Sequence, residues 1–329
     1  MNRHEIGIGK VRALQRVSTS AGHFTILAVD HVAALRRALK PAAPDQVRDE
    51  EIAAFKAQVT RALAPESSGV LLDPMYGAAQ AIAGGYLGSA GLLLELENAD
   101  YALQSPLLRC ETISDWNVAK IKRMGGDGVK LFYFYNHDQI EHARQQDDLL
   151  MQIVADCTEH DIPFYAEPIL YPAGAPTPVH QERFTGLVIA AAQRVEGLGA
   201  DILKMEFPLS AAQWGDPAAA RAACDELHAA TTIPWVLLSA GVDFETFCQQ
   251  VEIACAAGAS GVIAGRAVWG DAAHIADLEA RQAWLETTGR ERMRQLAELT
   301  RLGEPWMERL TPAPITSTWY REYAGEPAL

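Results

Sequence analysis

The chain has 329 residues, 49% of them hydrophobic, and carries a formal net charge of −14. That length suits a single α/β barrel of about 250 residues with additions as well as it suits two smaller domains. The acidic balance argues against nucleic acid and anionic membrane as partners, which reward clustered Lys and Arg, but a few local cations can still hold an anionic substrate.

The N-terminal stretch MNRHEIGIGKVRALQRVSTS has no apolar core of the kind a secretory signal needs. Short apolar runs then alternate with longer amphipathic stretches. Strands are expected at 24–30 (FTILAVD), 69–73 (GVLLD), 90–95 (AGLLLE), 128–134 (GVKLFYF), 162–168 (IPFYAEP), 201–207 (DILKMEF), 234–239 (PWVLLS) and 261–265 (GVIAG). Helical spacing of apolar residues is clear over Asp45 to Ala64, Asp115 to Met124 and Phe244 to Ala257. The Ala/Gly-rich segment 77–90 is the weakest helix candidate.

Eight strand candidates alternating with helices predict a parallel sheet, and eight units close a (β/α)8 TIM barrel better than they fill an open sheet. No G-x-G-x-x-G follows the first strand, which disfavours a dinucleotide-binding fold. Residues 1–303 are expected to form the barrel and 304–329 an irregular C-terminal extension. The Pro- and Gly-rich segment 171–183 follows the fifth strand, where such barrels carry active-site loops.

The five cysteines form no C-x-x-C pair and read as reduced thiols, so a cytoplasmic location is expected. No apolar run approaches the roughly 18 residues needed to span a bilayer. The nine histidines form no compact ligand set, so no metal is expected.

Active sites of this barrel lie at the C-terminal ends of its strands. The polar residues found there are Asp30, Asp73, Glu95, Lys130, Glu167, Lys204, Glu206, Ser239 and Arg266. Alternation along ADILKMEFP puts Ile202, Lys204 and Glu206 on the face toward the barrel interior. A lysine there is costly unless paired or neutral, and a neutral amine attacks a ketone to give an iminium, an electron sink for carbon–carbon cleavage. The bland alternative is an ion pair of Lys204 with Glu206 or Glu167. Lys130 is placed similarly in DGVKLFYFY and would depress the pKa of Lys204. Glu167, in the apolar setting FYAEP, is expected to resist ionisation and serve as a general acid/base.

Ser239-Ala240-Gly241 and Ala264-Gly265-Arg266 end the last two strands. Barrels bind phosphate there, and Ser239, Gly241, Gly265 and Arg266 offer a hydroxyl, close backbone approach and a cationic fork. His31, directly after Asp30 at the first strand end, joins the candidate site.

LAVDH at 27–31, SGVLLDPMYG at 68–77, AGLLLELE at 90–97, SDWNVAKIKRMGGDGVKLFYFY at 114–135, DIPFYAEPILY at 161–171, ADILKMEFP at 200–208, IPWVLLSAGVD at 233–243 and AGASGVIAGRAVW at 257–269 stand in one order over roughly residues 20–300. Together they resemble the tagatose-1,6-bisphosphate aldolases and the sibling sulfofructosephosphate aldolases. The resemblance implies a cofactor-independent class I aldolase acting on a phosphorylated or sulfonated ketose. It implies Lys204 as the Schiff-base lysine, Glu167 as the acid/base, Lys130 as a supporting lysine, and Ser239, Gly241, Gly265 and Arg266 as anion-binding positions. It also implies that Asp30 touches substrate hydroxyls or an active-site lysine, and that the protein is a homo-oligomer.

Two departures concern the substrate. The family usually has D-Q-R where this chain has Asp30-His31-Val32, so a substrate-binding arginine is replaced by valine, with Arg36 and Arg37 one turn on as partial replacements. Met75 stands where the bisphosphate aldolases tend to have an acid. Rival readings are a phosphosugar isomerase or epimerase using Glu167 and Asp30, and a sugar-phosphate sensor without turnover.

Overall fold

A computed structural model describes residues 3–98, 110–135, 140–170, 183–210 and 213–323. Eight parallel strands close a barrel: β2 (Phe24–Ala28), β3 (Gly69–Leu72), β4 (Gly91–Glu95), β5 (Gly128–Tyr135), β6 (Phe164–Leu170), β7 (Ile202–Met205), β8 (Trp235–Leu238) and β9 (Gly261–Ala264). β9 pairs back onto β2, with Phe24 opposite Gly261. A closed parallel sheet is buried on both faces, which is why these segments read as continuous apolar runs rather than alternating ones. All eight fall on the segments expected from the sequence.

The helices lie between strands and are stopped by local chemistry. Asn117 caps the helix Val118–Met124 by accepting from Lys120 N, and Gly125 ends it in the left-handed region at φ 95°. Asp243 accepts from Thr246 N at the start of Phe244–Ala256. The expected helix at 45–64 is split: Pro44–Gln46 forms a 3-10 turn and the α-helix runs Asp49–Leu63. The weak candidate at 77–90 shrinks to Ala78–Ala83, because Gly84 and Gly85 follow and Gly85 sits at φ 66°.

Four elements near the termini were not expected. β1 (His4–Ile6) leads into the helix Ile8–Val17, which packs against the strand starts at Gly69, Gly91 and Asp201. Gly91 makes room for it, since a Cβ there would lie 2.5 Å from Val17 Cγ1. Lys10 on this helix is buried and pairs with Asp201 at 2.8 Å. The tail is more regular than expected as well. β10 (Leu310–Pro312) pairs in parallel with β1, His4 opposite Leu310, and a short helix follows at Trp319–Glu322. The two strands have three residues each, so they carry little periodicity to read.

Candidate active site

The barrel register gathers the inward polar residues at one end. Lys130 on β5 is opposite Tyr165 on β6 and Glu95 on β4. Glu167 and Lys204 each lie one residue beyond the Ala166–Leu203 pair of β6 and β7. Side chains at matched positions of neighbouring strands point to the same face, so lysine, glutamate and lysine converge.

Lys204 Nζ donates to Glu167 Oε2 at 2.8 Å. Lys130 Nζ lies 2.8 Å from the same oxygen, 3.3 Å from Asp30 Oδ2, and also donates to Glu97 Oε1. Its ammonium sits 4.9 Å from the centre of the Phe132 ring. Lys130 is wholly buried, whereas Lys204, at 3% exposure, reaches a cavity of about 180 Å³ at the barrel mouth. Glu167, Glu206, His31, Ser239, Gly265 and Arg266 share that cavity with Lys204.

The anion-binding candidates stand together on one wall. Ser239 directly follows β8, and the turn there puts Ala240 at φ 46° and Gly241 at φ 79°. A Cβ on Gly241 would lie 3.1 Å from Arg266 Cζ, so the guanidinium rests over this turn. Among the described residues no carboxylate pairs with Arg266, which is exposed at the cavity rim. Gly265 precedes it, and a Cβ there would meet the Ala28 carbonyl at 3.3 Å.

Asp30 is 1% exposed and lies behind the cavity rather than on it. His31 Nδ1 is 3.1 Å from its Oδ1. Lys56, fully buried on the helix Asp49–Leu63, donates to the Asp30 carbonyl at 2.8 Å and to Asp73 at the end of β3.

The electrostatics differ from the sequence expectation. Burial pushes the Glu167 carboxyl up, but the charges and hydrogen bonds of Lys130 and Lys204 outweigh it and hold it below its ordinary value. Glu167 is therefore an ionised carboxylate, not one that resists ionisation, because two lysines from other strands stand at 2.8 Å from it. Asp30 behaves alike: burial raises it, and His31 and Lys130 bring it well below the usual range. The carboxyls that do resist ionisation are others. Burial pushes Glu206 and Glu97 up to about 7. Glu95 goes well above its ordinary value through burial and the neighbouring charges of Glu97 and Asp30.

Glu206 does not compete for Lys204; it accepts from Leu170 N at 3.3 Å. Arg36, expected as a replacement cation, is committed to Asp49 at 2.6 Å and to the Val47 carbonyl. Residues 171–182 of the expected active-site loop lie outside the described residues. Glu97 is the partner the sequence reading missed. Its signal was present, since it lies two residues past Glu95 and so on the same face.

Asp30, Glu95 and Glu97 bring carboxylate oxygens within 4.8 Å of one another, a grouping that could hold a cation. Lys130 already places its ammonium against two of the three.

A model of the DeoC/LacD family aldolases matches residues 24–271. Tagatose 1,6-diphosphate aldolase 2 of Enterococcus faecalis is 31% identical over 311 residues, covering 88% of this chain and 93% of that protein. A tagatose 1,6-diphosphate aldolase of Listeria monocytogenes is 31% identical over 326 residues, covering 92% and 95%. Among solved structures, an archaeal fructose 1,6-bisphosphate aldolase superposes with a TM-score of 0.61 at 20% identity, covering 89% of this chain and all of that one. The fructose-bisphosphate aldolase of Plasmodium falciparum gives a TM-score of 0.71 at 11% identity, covering 92% and 99%. These two structural likenesses bear on the barrel alone.

Proposed function

Since the chain belongs to the DeoC/LacD family of aldolases, we propose that it cleaves a phosphorylated ketose as a class I enzyme, through a Schiff base on Lys204. The observation that carries this reading is the 2.8 Å contact of Lys204 Nζ with Glu167 Oε2 at the floor of a cavity whose rim holds Arg266.

The Ser239–Gly241 turn and Arg266 seat the phosphate on the first carbon. Lys204 passes a proton to Glu167, and the free amine attacks the ketone carbon. A C–N bond forms, and Glu167 returns the proton as the carbonyl oxygen leaves as water. The resulting iminium accepts the electron pair of the bond between the third and fourth carbons. Glu167, again ionised, takes the proton of the fourth-carbon hydroxyl, and an aldehyde departs. Protonation of the enamine and hydrolysis release dihydroxyacetone phosphate and regenerate Lys204. Lys130 touches the same carboxylate oxygen and fixes it between the two amines.

The substrate class follows the relatives' names: tagatose 1,6-bisphosphate is the reference ketose, with a sulfonated ketose phosphate or a ketose 1-phosphate as alternatives. Five unpaired cysteines support a reducing, cytoplasmic setting. Ile315, Trp319 and Tyr320, exposed on the tail, support a homo-oligomer. The negative net charge supports neither nucleic acid nor membrane as a partner.

An isomerase built on Glu167 and Asp30 is the weaker reading, since Asp30 is buried against Lys130 and His31 and is not on the cavity wall. The deciding experiment is borohydride reduction in the presence of dihydroxyacetone phosphate, followed by peptide mass spectrometry. An adduct on Lys204 is expected. An adduct on Lys130 would move the Schiff base there. Clean binding without any adduct would favour an isomerase or a sensor, and full turnover by Lys204→Met an isomerase.

A further inference from the structure

Beside the cavity around Lys204 lies a second, smaller recess, and His31 lines both. In the ring of eight strands, β4 stands halfway round from β8. The first cavity therefore holds the cationic rim at β8 and β9, and the second lies across the barrel mouth at β4. A linear substrate held by its anion at Arg266, with its ketone at Lys204, directs its other end across the mouth toward this recess.

The two ends are chemically opposite. The β8–β9 wall offers Arg266 and the open turn at Gly241. The recess is lined by Glu95, Glu97 and Asn98, with Val32, Met75 and Phe132 completing it. Among the described residues it contains no lysine or arginine. Glu97 is 2% exposed, and its Oε2 has no hydrogen-bond partner among the described residues. A buried carboxylate oxygen without a donor needs one, and a sugar hydroxyl provides it. A phosphate or sulfonate would carry its charge into a recess that offers no cation to balance it, and the loss of its hydration would go uncompensated. Lys130 does not relieve this. It is fully buried and already set against Asp30, Glu97 and Glu167.

Building on the aldolase reading above, we infer that the recess beside Glu95 and Glu97 is the subsite for the departing aldehyde and selects an uncharged, hydroxyl-bearing chain end. The substrate is then a 2-ketose 1-phosphate with a free terminal hydroxyl, and the products are dihydroxyacetone phosphate and a neutral hydroxyaldehyde. Glu95 and Glu97 set this choice. Raised affinity for the proton in both groups fits the assignment, since a protonated carboxyl can both accept from and donate to hydroxyls.

The test compares kcat/KM for matched pairs of 2-ketohexose 1-phosphate and 1,6-bisphosphate across the D-stereoisomers, with release of dihydroxyacetone phosphate as the readout. The monophosphate of the best stereoisomer should be preferred on the order of tenfold or more. A second comparison uses Met75→Lys, which adds a cation at a position 44% exposed on the recess wall and outside the proposed chemistry. The variant should shift the ratio toward the bisphosphate by a similar factor. Equal use or preference for the bisphosphate by the unaltered protein overturns the assignment, and so does a Met75→Lys ratio that stays put. Failure of the underlying reading looks different: Lys204 would then form no borohydride-reduced adduct with dihydroxyacetone phosphate, whatever the chain end.

Discussion

Lys204 and Glu167 meet at 2.8 Å across adjacent strands, amine to carboxylate, with nothing between them. That contact gives the lysine a local acceptor for the proton it must lose. Glu167→Gln removes the acceptor while keeping the shape. We expect kcat to fall on the order of 10²- to 10⁴-fold, the usual range for loss of a general acid/base. Steady-state kinetics check this, and a change of less than about threefold would exclude Glu167 from the proton transfers.

Arg266 should act on binding. A charge-assisted hydrogen bond contributes roughly 1.5–3 kcal/mol, so Arg266→Ala should raise KM for a phosphorylated ketose about ten- to a hundredfold. Cleavage of the corresponding unphosphorylated ketose should be nearly unaffected. Equal losses on both substrates would place Arg266 outside the anion subsite.

Lys56 and Asp73 are both fully buried and face each other beside the Asp30 carbonyl. Removing one partner strands a charge, so Lys56→Met should cost about 3–5 kcal/mol of unfolding free energy. The double variant Lys56→Met/Asp73→Leu should recover much of that loss, because no lone charge remains. Urea titrations of the single and double variants measure both, and a double variant no better than the single would refute the pairing argument.

Stability should depend on pH in a direction set by the buried carboxyls. Glu206 and Glu97 titrate near 7 in the folded chain, against an ordinary value of 4.5. A raised carboxyl contributes stability that is fully present below its unfolded pKa and is lost as pH rises through the folded one. Asp30 and Glu167 are lowered and act oppositely, so their contribution is lost on acidification. The melting temperature should therefore peak at about pH 4.5 to 5 and decline as pH rises to about 7. Glu206→Gln should flatten the alkaline limb, and an unchanged slope in that variant would remove Glu206 as its source.

The barrel was legible because each strand of a buried parallel sheet is an unbroken apolar run, and each carries its polar residue at the same end. β7 shows this best: ADILKMEFP placed Lys204 inward by alternation alone, and the register brings it to Glu167. Other features were hidden for physical reasons. The ionisation of Glu167 depends on two lysines from β5 and β7, distant in sequence, meeting at one oxygen. Lys56 sits on an amphipathic helix, where a lysine ordinarily reads as solvent-facing, and only the packed fold shows it turned toward Asp73. Arg36 looked available one turn past Val32 because the sequence does not show Asp49 folding back on it.

The parallel pairing of His4–Ile6 with Leu310–Pro312 carries a consequence for synthesis. As the chain leaves the ribosome from its N-terminus, the first strand has no partner until nearly the whole polypeptide has emerged. The strand that leads into the helix Ile8–Val17 is therefore paired last, although the helix itself can dock on Asp161 and Asp201 as soon as they are made. Nascent chains halted before residue 310 should expose this unclasped segment to limited proteolysis, whereas chains released past residue 312 should protect it.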